Sequence, residues 1–305
     1  SKNYSKAAIY LEKLLQTGNT DKTVIEMLGY SLLGINQYEQ ASSYFIELLD
    51  VSIEAKDTEY GIQLALDYLN QKEDKVEVIS RLATLYDLSG NVEKAVTWIY
   101  RLAEIAAGSG NISKARSLCK SILVLAPSNE KALLYLIETE EASPRKATWL
   151  RKLSSLYYQQ KEYAKSLSAT ESALELFPEN LSLLVQKVDI LEITKAPESQ
   201  IKETYLSLAH SCYDRELSLR AADYCDLILV LTPDDTEIME FKLDIWGLEL
   251  QRNPNDNLQQ NYSAFQMELG HLYINKNQLG RAIELLNSGL SMNPENKILQ
   301  AEIAE

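Results

Sequence analysis

The spacing of small and large apolar residues between Ser263 and Asn296 constrains this chain more than any other feature. Counting Ser263 as position 1, Leu269 and Gly270 stand at positions 7 and 8, Tyr273 at 11, Ala282 at 20, Leu286 at 24, Gly289 at 27 and Pro294 at 32. Apolar residues recurring three and four apart predict two amphipathic helices. Small residues at positions 8 and 20 let the two backbones approach, and large ones at 7, 11 and 24 fill the space beside the crossing. The expected product is an antiparallel helical hairpin.

The same pattern recurs four times upstream. From Lys22 it places Ile25, Leu28, Gly29, Leu32, Ala41, Phe45 and Leu48, and from Val76 it places Leu82, Ala83, Tyr86, Ala95, Ile99 and Leu102. From Ala147 it places Leu150, Leu153, Ser154, Tyr157, Ser166, Thr170, Ala173 and Pro178. From Lys202 it places Tyr205, Leu208, Ala209, Cys212, Ala221, Cys225, Ile228 and Pro233. The predicted pairs are 22–55, 76–109, 147–180, 202–235 and 263–296, whose starts are separated by 54, 71, 55 and 61 residues. Further helices are predicted over 3–18, 58–71, 112–125, 130–141, 182–193 and 236–250, and a polar break over 252–261. The odd helices belong either to degenerate pairs or to a unit of about three helices.

This pattern resembles the tetratricopeptide repeat family, over five pairs and most of the chain, with closing prolines at 127, 178, 233 and 294. The resemblance implies an all-α, right-handed superhelix of antiparallel helix pairs, here irregularly spaced with extra helices, forming one solenoid over 1–305. It also implies a concave groove lined by the first helix of each pair. Carried over position by position, the groove residues are Arg151, Ser155, Tyr158 and Gln159, then Leu206, His210, Tyr213 and Asp214, then Met267, His271, Ile274 and Asn275. The two histidines of the chain share position 9 of their repeats. The chaperone-binding branch of the family clamps a carboxylate with Lys at position 5 and Asn at position 9. Here those positions hold Glu26 and Tyr30, Ser80 and Thr84, Arg151 and Ser155, Leu206 and His210, and Met267 and His271, so a co-chaperone role is not expected.

Thirty Lys and Arg against 44 Asp and Glu give a net charge of −14, which disfavours nucleic acid or an anionic membrane surface as the ligand and mildly favours a basic partner. No apolar run approaches the roughly 20 residues of a membrane helix. Cys119, Cys212 and Cys225 fall on apolar helix positions and read as small core residues. Two histidines on separate repeats, no Cys-x-x-Cys and no phosphate-binding loop leave no constellation for catalysis, a metal or a cofactor. Asn253, Asn255 and Asn257 imitate the start of a calcium loop, but Leu258 and Ala264 stand where its glycine and bidentate glutamate belong. Eighteen tyrosines against four phenylalanines favour rings that pack while their hydroxyls reach polar partners.

The expected function is a non-catalytic protein–protein interaction scaffold or adaptor that binds a peptide or protein in the groove. Two alternatives stay open: a substrate-recruiting or regulatory region of a larger enzyme, and a structural subunit of a bacterial envelope, secretion or motility machine. The chain opens on a helix without an initiator Met, which reads as a piece of a longer protein. A cytoplasmic location is favoured, or a periplasmic one had an upstream signal been removed.

Overall fold

The computed structural model describes residues 2–18, 21–71 and 74–292. Its contacts gather into two compact units, Ser1–Glu141 and Ala142–Glu305. In the first, α1 (Lys2–Gln16), α2 (Lys22–Gly34), α3 (Tyr38–Ala55), α4 (Thr58–Leu69), α5 (Val76–Leu88), α6 (Val92–Gly108), α7 (Ile112–Leu125) and α8 (Glu130–Thr139) follow one another. The second holds α9 (Pro144–Gln159), α10 (Tyr163–Leu176), α11 (Leu181–Ile193), α12 (Glu198–Tyr213), α13 (Ser218–Leu231), α14 (Thr236–Arg252), α15 (Asp256–Asn275) and α16 (Leu279–Met292). Among the described residues there is no strand. Within each unit a helix packs mainly on its sequence neighbours, and α3 also packs on α5. Such nearest-neighbour packing is the hallmark of a helical repeat.

The helices α2–α3, α5–α6, α9–α10, α12–α13 and α15–α16 fall on the predicted pairs and pack on one another. Pro294 and Asn296, the closing positions of the last pair, lie outside the described residues. The odd helices pack on the helices before and after them. Single helices α4, α11 and α14 follow three of the hairpins. The longest interval, 71 residues, holds α7 and α8 after the α5–α6 hairpin.

Helix ends explain how this register is kept. Ala126, Phe177, Thr232 and Asn253 each precede a proline and share φ between −134° and −142°. The proline ring disfavours helical geometry in the residue before it, so the helix stops there. Two residues after Ala126, Phe177 and Thr232 comes the proline's follower, and the next residue, Asn129, Asn180 or Asp235, accepts a hydrogen bond from Ala132, Leu183 or Ile238 N–H and starts the following helix. The expected polar break at 252–261 shrinks for the same reason. Asn255 accepts from the N–H groups of Asn257 and Leu258, so α15 begins at Asp256.

The crossings are as close as the small residues require. A Cβ on Gly29 would lie 3.0 Å from Phe45 Cε2, and one on Gly270 would lie 2.8 Å from Leu286 Cδ2. Ala41, Ala95, Ala221 and Ala282, at position 20 of their pairs, are buried. In α9–α10 the same places hold Ser154, Ser166 and Thr170. Ser154 Oγ lies 2.9 Å from Ser166 Oγ and 2.6 Å from Thr170 Oγ1, while Ser166 Oγ donates to Ser154 O at 2.9 Å. Each hydroxyl is thus satisfied inside the crossing, as burial of a polar group demands.

Candidate protein-interaction surface

The first helices α9, α12 and α15 are fixed by one face and open on the other. Their positions 4, 7, 8 and 11 are buried, as Leu150, Leu153, Ser154 and Tyr157, then Tyr205, Leu208, Ala209 and Cys212, then Gln266, Leu269, Gly270 and Tyr273. The residues predicted to face a groove behave otherwise. Arg151, Ser155, Gln159, His210, Asp214, His271, Ile274 and Asn275 are exposed, and Tyr158, Leu206, Tyr213 and Met267 are half-buried. The ring and hydrogen-bond contacts of the α9 set stay within α9 and α10, where Tyr158 meets Tyr163 edge to face at 5.7 Å and Ser155 Oγ donates to Arg151 O.

On α12 the structure brings two of the predicted residues together through a third that the sequence pattern does not select. Phe241 of α14 lies 4.5 Å from the His210 ring and 5.6 Å from the Tyr213 ring. His210 is therefore a packing residue as well as an exposed one. A Phe at an unremarkable position of an odd helix gives no sequence signal that it will reach α12.

Tyrosine hydroxyls join first helices to the odd helices. Tyr30 Oη donates to Asp67 at 2.7 Å and Tyr60 Oη to Glu26 at 2.7 Å, linking α2 with α4 in both directions. Tyr205 Oη donates to Glu192 at 2.5 Å, and Tyr273 Oη donates to Glu240. Burial, and then the carboxylate each phenol donates to, pushes Tyr30, Tyr60 and Tyr205 well above the ordinary tyrosine range. The bias of tyrosine over phenylalanine was the available signal for these bonds, although it names no partner.

Asp189 of α11 and Asp244 of α14 each lie partly buried near another carboxylate. Desolvation first, and then the neighbouring carboxylate of Glu192 or Glu240, raises the pKa of each. A carboxyl whose pKa is raised by folding stabilises the fold below the ordinary aspartate value of about 4, and that contribution is lost as pH rises through the raised value. Asp189→Asn and Asp244→Asn are therefore expected to raise the melting temperature near pH 7, with the gain shrinking as pH falls toward about 4. Melting curves across that range test this, and a gain independent of pH would remove the electrostatic cause.

Cys119, Cys212 and Cys225 are buried free thiols. Burial pushes Cys119 up to about 11 and Cys225 up to about 12, where little nucleophilic thiolate exists at neutral pH. Among the described residues no group of three or more His, Cys, Asp or Glu is placed to hold a metal ion. Asn253 and Asn255 are used by helix ends instead: Asn253 Nδ2 donates to Glu249 at 2.9 Å, and Asn255 caps α15. No helix among the described residues is long and apolar enough to cross a membrane.

The hairpin from which the repeat pattern was read matches the family model for the tetratricopeptide repeat over residues 264–296. This segment is similar to a tetratricopeptide repeat. The match covers α16 and the portion of α15 that packs on it, and it runs past the last described residue. A comparison with curated proteins finds no match. Among solved structures, the chain is similar to the C-terminal part of a TPR repeat-containing protein from Cytophaga hutchinsonii, at 14% identity and a TM-score of 0.32, covering 98% of this chain and 94% of that one. It is also similar to a chain in a structure of Naa15/Naa10 bound to HypK-THB, at 14% identity and a TM-score of 0.34, covering all of this chain and 58% of that one. A third is in the anaphase-promoting-complex hetero-tetramer Cut9–Hcn1, at 13% identity and a TM-score of 0.20, covering 99% and 86%. Likenesses of this size carry no argument about function. The tetratricopeptide repeat itself is an interaction module, which bears on the reading below.

Proposed function

We propose that this chain is a non-catalytic protein-interaction scaffold or adaptor that holds a peptide or protein partner against the open faces of its first helices. One observation carries the reading. On α9, α12 and α15 alike, positions 4, 7, 8 and 11 are buried while positions 5, 9, 12 and 13 are exposed or half-buried. A core on one side fixes each helix, so side chains on the other are presented with little ordering left to do on binding. The open residues are chemically mixed, with Arg151, Tyr158, Leu206, Tyr213, Met267 and Ile274 among them, and side chains of this kind suit protein partners.

Photo-crosslinking tests the surface. A benzophenone side chain placed at Ser155 or Ile274 is expected to capture a partner from native extract, identified by mass spectrometry. The same group at Ser168, exposed on the second helix α10, serves as the control. Capture from Ser155 and Ile274 but not Ser168 supports the reading. Equal capture from all three positions, or capture from Ser168 alone, moves the interface to the second helices.

A further inference from the structure

Helices α7 and α9 depart from the acidic balance of the chain. The segments 105–129 and 142–161 contain no Asp or Glu, although the chain holds 44 of them; α7 carries Lys114, Arg116 and Lys120, with Arg116 paired to Glu140, and α9 carries Arg145, Lys146, Arg151 and Lys152. Several guanidinium groups elsewhere are used internally. Arg81 holds Asp50 at 2.7 Å, Arg252 holds Glu216 at 3.0 Å, and Arg101 and Arg116 pair with Asp74 and Glu140. Among the described residues, none of the four α9 cations forms an ion pair. Lys152 only lies over the Trp149 ring, 5.0 Å from its centre.

The folding of α9 does not account for them. The first turn of a helix carries the positive end of the dipole and favours acidic residues, yet α9 has none there and places Arg145 and Lys146 beside its N-terminus. Arg145, Arg151 and Lys152 are exposed, and Arg151 also lines a 220 Å³ depression whose apolar walls are Pro144, Ala147, Phe177 and Leu183.

We infer that the open face of α9 binds an acidic segment of a protein partner, one that carries an apolar side chain among its carboxylates. The cations match the carboxylates, and the depression beside Arg151 takes the apolar anchor. An extended polyanion fits less well. At 1.5 Å per residue α9 is about 24 Å long, and beyond it lies a chain of net charge −14 that repels a longer nucleic acid or an anionic bilayer. The expectation of a basic partner, which follows from the net charge, averages over this unevenness and does not apply to α9. The inference rests on the reading that first-helix faces receive a partner, and it adds the partner's chemistry at one of them.

The test is a fluorescence-anisotropy titration of the whole chain with a labelled peptide of about twelve residues, alternating Glu and Ser around one central Phe, a length that matches the helix. Parallel titrations use the Lys-for-Glu peptide, dodecathymidylate and vesicles containing phosphatidylserine. Wild type is expected to bind the acidic peptide in preference to all three, and Arg145→Glu/Arg151→Glu/Lys152→Glu to weaken it roughly tenfold or more with unchanged circular dichroism. Arg151→Gln alone is a milder variant, expected to weaken the Phe-containing peptide more than its Ala counterpart. Binding that survives the triple substitution overturns the inference, as does preference for the oligonucleotide or the vesicles. If the acidic peptide does not bind while Ser155 and Ile274 still crosslink a partner, the acidic-segment inference falls and the interaction reading stands. If the peptide binds through α9 but neither crosslink forms, the wider reading is what fails.

Discussion

Phe45→Ala is expected to destabilise the first unit by about 3–5 kcal/mol, the usual range for deleting a buried aromatic ring. Phe45 is 0% exposed, and its ring sits 5.3 Å from those of both Tyr30 and Tyr68. It also occupies the gap that Gly29 leaves, since a Cβ there would stand 3.0 Å away. Three helices therefore meet at one ring, α2 through Gly29 and Tyr30, α3 through Phe45 itself, and α4 through Tyr68. Tyr30 and Tyr60 are further held by Asp67 and Glu26, so the neighbours are restrained from collapsing into the cavity. Urea unfolding followed by circular dichroism measures the loss, with Met27→Ala on the exposed side of α2 as a control expected to stay within about 0.5 kcal/mol. A loss at Phe45 no larger than the control's would mean that the crossing is not held by this ring.

The second expectation concerns a charge placed inside the second unit. Lys242 of α14 is only 4% exposed, and its ammonium pairs with Asp226 of α13 while lying 4.2 Å from the Trp246 ring and 4.5 Å from the Phe265 ring. Desolvating a cation costs more than a single pair and two ring faces readily return. Lys242→Met, which keeps the length and removes the charge, is expected to leave stability unchanged or raise it. Asp226→Ala strands the ammonium and is expected to cost about 1–3 kcal/mol, at or below the usual loss for a broken buried pair because the Asp226 carboxylate is half exposed. The double variant should behave like Lys242→Met alone. Fifty-five residues earlier, Lys187 of α11 meets Glu171 of α10 at 3.1 Å in a more open setting, and there the same substitutions are expected to change stability by less than about 1 kcal/mol. A thermal-melt cycle separates the cases: if Asp226→Ala is harmless, the two rings suffice to hold the charge.

Much of this was legible because a helical repeat writes its contacts locally. Gly29, Ala41, Ala221 and Gly270 could be read as crossing points since only small residues fit there, and Leu28, Leu82 and Leu269 as core since they recur at the same helical phase. The helix stops before Pro127, Pro178 and Pro233 follow from the geometry a proline imposes on its predecessor. Less clear was α15, because Asn255 caps it from within a run of polar residues that resembles a loop.

What the sequence determined by itself was the helical class and the small residues at the helix crossings, because each depends on residues close together in the chain. The tertiary structure decided the rest. It set single helices after three of the hairpins and two in the longest interval, seated Phe241 against His210, joined Tyr205 to Glu192 and Tyr273 to Glu240, and left the α9 cations without internal partners. Those features depend on which side chains of separate helices come within reach once the hairpins stack. Periodicity along one helix records where its apolar stripe lies, but not which polar atom of a neighbour 13 or 33 residues away will meet it.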